Sequence, residues 1–249
     1  MATFRNATVV NSIQITPHLQ RIILGGEDLK TFPQNEEGAY VKLILEKDKA
    51  LLENSKHRPK MRSYTVAEYD EKDSTLALDF VINMHDGLST NWAKNTRPGE
   101  QVVIAGPGPR KIYDFPETDY LFFVDLTSIN ALRAYLKLLP EKASGKAIVL
   151  VPSHEDFLDL PTKSSVAIHF KVSPLGYNYL EFAKSYENLS DKTIVFAAGE
   201  ANEINALRKY LLKERCLPTE NVYISGYWKK GKNDEEYRDE KRQQTNLIG

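Results

Sequence analysis

The residues best suited to chemistry stand together at Arg62-Ser63-Tyr64-Thr65, where a charged loop gives way to what reads as a strand. A guanidinium offers a planar fork of donors that matches a phosphate or pyrophosphate. A tyrosine ring can lie against a flat heterocycle, and a threonine hydroxyl or its backbone N–H can reach that heterocycle's polar edge. Residues two apart on a strand point the same way, so Arg62 and Tyr64 share one face of a sheet. The set suits a flavin dinucleotide; it also suits an ordinary edge strand with a surface arginine. A second stretch, His85 to Ala93, reads His-Asp-Gly-Leu-Ser-Thr-Asn-Trp-Ala. It predicts a loop opening into a short helix with Ser89 or Thr90 at the N-cap. With Gly87 permitting close backbone approach and two hydroxyls adding donors, this is either a phosphate-binding helix start or a simple capped turn.

The elements that must position these residues change character along the chain. In the first half, short apolar stretches alternate with turn residues: Thr8–Ile15, Gln20–Leu24, Ala39–Leu45, Ser63–Ala67, Thr75–Ile82 and Gln101–Ala105. That spacing predicts an antiparallel β-barrel or sandwich. Leu76, Leu78, Phe80 and Ile82 alternate with Ala77, Asp79 and Val81, which gives one core face and one mixed face. Gly106-Pro107-Gly108-Pro109 reads as a rigid closing turn. From about Pro116 the apolar runs become continuous, at Tyr120–Val124, Ala147–Val151, Val166–Phe170, Thr193–Ala198 and Val222–Ile224, with helical periods between them. Leu132, Tyr135, Leu136 and Leu139 mark one helix face; Ile204, Leu207, Leu211 and Leu212 mark another. This pattern predicts βαβ units and a mostly parallel sheet. The change of period divides the chain into a barrel domain, residues 1–115, and an α/β domain, residues 116–249, whose polar tail includes a predicted exposed helix over Asn233–Gln244.

Composition narrows the function. A chain of 249 residues can hold two cores. Its 33 Lys and Arg nearly balance 34 Asp and Glu, so no net field marks it as a nucleic-acid binder. One cysteine, Cys216, excludes an internal disulfide and a cysteine-only metal or iron–sulfur site. No apolar run approaches a membrane span and the N-terminus lacks a signal-peptide pattern, so a soluble cytoplasmic protein is expected; with no recognisable coiled coil or exposed apolar helix face, a monomer is expected.

Four segments, taken in order, resemble the siderophore-interacting proteins, ferredoxin-reductase-like flavoproteins that reduce ferric siderophores. They are Arg62-Ser63-Tyr64-Thr65; Asp79-Phe80-Val81 leading to Gly87-Leu88-Ser89-Thr90-Asn91-Trp92-Ala93; Ala198-Gly199-Glu200-Ala201; and Ser225-Gly226-Tyr227-Trp228-Lys229-Lys230-Gly231. The resemblance implies an FAD-binding barrel, with Arg62, Ser63, Tyr64, Thr65, Asp79, Val81, Gly87, Leu88, Ser89 and Thr90 at the cofactor and Trp92 packing the helix onto the barrel. This chain departs from the family at Asn83, where His is usual, and at Leu88, where Pro is usual.

On the electron-donor side the family's Asp-Glu-Thr-Ala-Leu-Pro-Ala-Ile is replaced by Asp125-Leu126-Thr127-Ser128-Ile129-Asn130-Ala131-Leu132. Asp125, Thr127 and Glu200 remain as donor-side candidates, and the donor is either NAD(P)H or reduced ferredoxin. Ferric catecholates are anionic, so a basic docking patch is expected from Lys42, Lys171, Lys229 and Lys230, with Lys171 and Lys230 converging at the carboxyl ends of parallel strands. The chemistry calls for no catalytic acid, base or nucleophile. Two other readings fit the same residues: a siderophore- or flavin-binding module without turnover, and a flavin reductase for small organic acceptors.

Overall fold

The computed structural model describes residues 3–45, 61–84, 86–173, 178–232, 236–237 and 239–241. The chain divides into two compact units, Met1–Tyr113 with Arg133–Tyr135, and Asp114–Leu132 with Leu136–Gly249.

The first unit is built from β1 (Phe4–Thr16), β2 (Leu19–Gly25), β3 (Tyr40–Ile44), β4 (Met61–Asp70), β5 (Thr75–Val81), helix α1 (Leu88–Asn95) and β6 (Gln101–Gly108). The strands close into an antiparallel barrel in the order β1-β2-β5-β4-β3-β6. Closure pairs every strand on both sides and removes the exposed edges an open sheet would leave. Alternation supplies the core: Leu76, Leu78 and Phe80 of β5 point inward with Ile22, Leu24, Val41, Leu43, Val66 and Ile104. Gly106 to Gly108 are not the closing turn expected from sequence. They continue β6, because Tyr40 of β3 pairs with Gly108 and its ring fills the space a side chain there would occupy.

The second unit contains β7 (Asp119–Asp125), α2 (Ile129–Leu138), β8 (Ser144–Val151), β9 (Ser165–Val172), α3 (Tyr179–Lys184), β10 (Ile194–Glu200), α4 (Ala201–Lys209) with a π-turn at Tyr210–Glu214, and β11 (Val222–Trp228). Its five strands are parallel in the order β11-β10-β7-β8-β9. Central β7 is buried on both faces, which explains its unbroken apolar sequence. On one face Leu121, Phe123, Ile148 and Val195 pack against Tyr179 and Ala183 of α3 and Ile204 and Leu207 of α4. Chain direction across the sheet reverses between β7 and β10, and such a switch point opens a crevice at the strands' carboxyl ends. Of the tail helix expected over Asn233–Gln244, residues 236–237 and 239–241 are described and helical; Asp234 and Arg238 lie outside the described residues. Among the described residues no helix is long and apolar enough to cross a membrane.

Candidate functional site

In the barrel, Arg62 and Tyr64 pair across the sheet with Leu43 and Val41, so both project to the core side of β4. Arg62 is buried, and its Nη1 donates to the Met61 carbonyl at 3.1 Å. The half-buried Tyr64 ring lies 4.1 Å from Phe80, centroid to centroid, and Phe80 lies 5.4 Å from Trp92 of α1. This aromatic chain docks the helix onto the strand that carries the motif, and the Trp92 indole is tied further to Glu100 at 3.3 Å. Ser63 and Thr65, opposite Lys42 and Tyr40, point to the other face, so only their backbone groups adjoin the Arg62–Tyr64 side.

Helix α1 begins differently from the sequence expectation. Its N-cap is Gly87, in extended conformation and with no side-chain cap, so Ser89 and Thr90 stand inside the first turn. The reason is spatial: Thr90 Oγ1 turns back to the Val81 carbonyl at 3.4 Å, while the Ser89 hydroxyl is buried, 2% exposed, with no hydrogen-bond partner among the described residues. Leu88 occupies the first helical position and is exposed. This is where the family's proline would be favoured, since its missing N–H costs nothing there. Asn83, the other departure, donates from Nδ2 to the Pro17 carbonyl at 2.8 Å.

An orphaned, buried hydroxyl among the uncapped N–H groups of a helix start fits an anionic group such as the pyrophosphate of FAD. The Ser89 hydroxyl and the N–H groups of the helix start fit such a group, whereas the Thr90 hydroxyl is already spent on the Val81 carbonyl.

Asp79 behaves as part of the scaffold. Its carboxylate is 1% exposed and takes two bonds from Arg21, Nε at 2.7 Å and Nη2 at 2.9 Å. The pair raises the Arg21 pKa, through the hydrogen bond first and the charge after it, against burial. Asp79 and Val81 alternate with Phe80, so their side chains lie on the opposite face of β5 from the one facing Tyr64. Sequence reasoning missed Arg21: its place in the Gln20–Leu24 strand was legible, but the β2–β5 register that sets it directly across from Asp79 was not.

In the second unit, Asp125 and Glu200 end the adjacent strands β7 and β10 at the switch point, and both are buried. Asp125 Oδ1 accepts from the Thr127 N–H at 2.9 Å and the Thr127 hydroxyl at 2.5 Å; Oδ2 accepts from Trp228 Nε1 at 2.7 Å. Burial pushes this carboxyl above its ordinary pKa, and the hydrogen bonds from Thr127 and Trp228 oppose the rise. Glu200 caps α4, accepting from the N–H groups of Asn202 at 2.7 Å and Glu203 at 3.1 Å, and from the Lys230 N–H at 3.1 Å. Ser128, unremarked in the sequence, bonds the Ala198 carbonyl at 2.7 Å and so joins β7 to β10.

The lysines are dispersed. Lys42 is on the outer face of β3. Lys171 is on edge strand β9 with its ammonium 5.8 Å from the Phe182 ring, Lys229 is paired with Glu240, and Lys230 follows the other edge strand, β11. Four strand spacings separate β9 from β11, about 19 Å. Lys171 and Lys230 therefore do not converge as the sequence suggested: strand order places them at opposite edges of the sheet.

Comparison with known proteins follows the same division. Residues 8–111 match the siderophore-interacting FAD-binding domain, and residues 117–231 match the siderophore-interacting protein domain. The ferric vibriobactin reductase ViuB of Vibrio cholerae is 29% identical over 245 residues, covering 91% of this chain and 90% of its own. The NADPH-dependent ferric-chelate reductase of Escherichia coli is 31% identical over 152 residues, 56% of this chain and 59% of its own. Among solved structures, the siderophore-interacting protein SipS from Aeromonas hydrophila superposes with a TM-score of 0.85 at 26% identity, covering 98% of this chain and 99% of that one. With the two domains matched in order along it, the chain belongs to the siderophore-interacting protein family.

Proposed function

We propose that this chain is an FAD-dependent oxidoreductase that reduces siderophore-bound Fe(III), with NAD(P)H or a reduced ferredoxin as electron source. The observation that carries the reading is the end-to-end similarity to a protein named for ferric vibriobactin reduction. When bound, FAD takes up electrons in pairs or singly and gives them up one at a time. The chain's own work is binding and orientation. The Ser89 hydroxyl and the N–H groups of the α1 start would donate hydrogen bonds to the cofactor's pyrophosphate, Arg62 would add a positive charge on the same unit, and Tyr64, braced on Phe80, would supply a flat surface. Lys230, with an exposed ammonium, is the better docking cation for an anionic chelate than Lys171 on the other edge of the same sheet. One-electron reduction is itself the release step, since hard charged oxygens hold Fe(II) less tightly than Fe(III).

Supporting a nicotinamide donor is the similarity to an NADPH-dependent ferric-chelate reductase. Favouring ferredoxin is the internal use of Asp125 and Glu200, whose bonds to Thr127, Trp228, Asn202, Glu203 and Lys230 leave the expected donor-side carboxylates occupied. The deciding experiment mixes FAD-loaded protein anaerobically with a ferric catecholate and NADH, NADPH or reduced ferredoxin, and traps Fe(II) with a ferrous chelator. Fe(II) release well above a free-FAD control with one donor is expected. Release no faster than that control with all three overturns the reductase reading and leaves the binding module.

A further inference from the structure

Three consecutive residues at the end of β11 are each tied to a different carboxylate. Trp228 donates from Nε1 to Asp125, the Lys229 ammonium pairs with Glu240, and the Lys230 N–H donates to Glu200. Glu240 also takes the Lys232 ammonium. Among the described residues, the Lys230 ammonium is thus the cation of this run that makes no hydrogen bond or ion pair, and it is exposed. The latch crosses a strand: β10 lies between β7 and β11, and the crossing point is Gly199. A Cβ at Gly199 would stand 2.6 Å from Asp125 Oδ2, on a backbone with φ +155°, so the seat of the carboxylate is built around glycine.

We infer that Asp125 and Glu200 are positioning residues: they fix the backbone and indole of Trp228–Lys230, and so hold the Lys230 ammonium at the carboxyl end of the sheet to receive an anionic ferric chelate. Each gives one oxygen to this segment, Asp125 Oδ2 to Trp228 and Glu200 Oε1 to Lys230, while the other oxygen takes local donors, Thr127 for Asp125 and Asn202 and Glu203 for Glu200. Holding the segment rigid before the encounter removes an ordering cost that the chelate would otherwise have to offset on binding. The inference rests on the reductase reading.

The test uses the full-length, FAD-loaded chain, an anionic ferric tris-catecholate and an uncharged ferric trihydroxamate. Asp125→Asn and Glu200→Gln should each raise KM for the catecholate about five- to tenfold, as expected for a lost hydrogen bond to a charged acceptor. The kcat and the trihydroxamate KM should stay unchanged. Trp228 emission, isolated as the difference from Trp228→Phe, should become more accessible to acrylamide in Asp125→Asn. Adding Trp228→Phe to Asp125→Asn should raise KM no further. An unchanged catecholate KM, or an equal loss with both chelates alongside a lowered melting temperature, overturns the proposal in favour of a purely structural role. If the wild-type protein reduces neither chelate, the reductase reading itself falls and the proposal with it.

Discussion

Trp228 Nε1 lies 2.7 Å from Asp125 Oδ2 although 103 positions separate the two residues in the chain. The contact joins an edge strand of the parallel sheet to its central strand, over the end of the strand between them. Its acceptor is a buried carboxylate receiving three donors, the arrangement an ionised group requires.

That carboxylate sets a pH dependence. Because burial holds the Asp125 pKa above its ordinary value of 3.8, there is a window above pH 3.8 in which the native state still keeps a proton that the unfolded chain has lost, before the group ionises at higher pH. Stability contributed by the group is therefore full below 3.8 and declines as pH rises through the raised native value. Asp125→Asn lacks this decline. Calorimetry should find its melting temperature, relative to wild type, improving as pH increases from about 4; a difference that is flat or runs the other way contradicts the assignment.

Ser89→Ala should act with opposite signs on stability and cofactor affinity. Removing a buried, unbonded hydroxyl leaves the FAD-free protein as stable as before or up to about 1–3 kcal/mol more stable. FAD binding, followed by flavin fluorescence on titration, should weaken about tenfold, one charge-assisted hydrogen bond to phosphate. A variant that loses stability and keeps its affinity would show that the hydroxyl serves the barrel.

The Arg21–Asp79 pair separates scaffold from cofactor contact. Asp79→Ala takes the bidentate partner from a largely buried guanidinium, leaving it Glu68 at 3.7 Å, and should cost up to about 3–5 kcal/mol in denaturant unfolding. The variant, once folded, should still take up FAD in the wild-type stoichiometry. Loss of FAD uptake from a variant of wild-type stability would return Asp79 to the cofactor set.

Opposite sheet edges imply independent lysines. Lys230→Glu should weaken the reaction with an anionic ferric chelate more than Lys171→Glu, and the double variant should equal the sum of the two in free energy, because about 19 Å separates the positions. Steady-state kcat/KM for the four proteins checks this, and strong non-additivity would mean that one chelate bridges both.

Gly226→Ala should unseat the tail. A Cβ there falls 2.3 Å from the Tyr237 hydroxyl and 3.1 Å from Ala201 Cα. Burial, with the charges of Glu200 and Glu240 adding to it, pushes the Tyr237 phenol up to about 12. Displacement should return it toward 10, visible in ultraviolet titration as a difference from Tyr237→Phe, with about 1–3 kcal/mol lost from stability. An unshifted Tyr237 would mean that its seat survives an added methyl group.

Local pattern carried most of the fold. Leu76, Leu78 and Phe80 announced a barrel strand because alternation is a property of neighbouring residues, and the unbroken run Tyr120–Val124 announced a strand covered on both faces. The shared face of Arg62 and Tyr64 followed from the same rule. What stayed hidden was decided by strand order. Nothing near Lys171 or Lys230 in the chain tells which strands lie between them, and nothing near Trp228 points to Asp125. The helix start slipped for a different reason: Ser and Thr are good caps, yet Gly87 takes that place because Thr90 is bonded back to β5 and Ser89 is turned into a buried seat.

β11 comes after every other strand of the described residues, yet Trp228 at its end and Lys230 just beyond satisfy carboxylates that end β7 and β10. A chain emerging from the ribosome exposes its barrel sequence first and holds Asp125 and Glu200 without their Trp228 and Lys230 partners until β11 arrives. The latch therefore doubles as a completion signal: translation halted before Trp228 leaves each of two acidic groups at the sheet's carboxyl end one donor short, with only Thr127, Asn202 and Glu203 to satisfy them, and a proteolysis time course on such nascent chains would register the moment the last donors arrive.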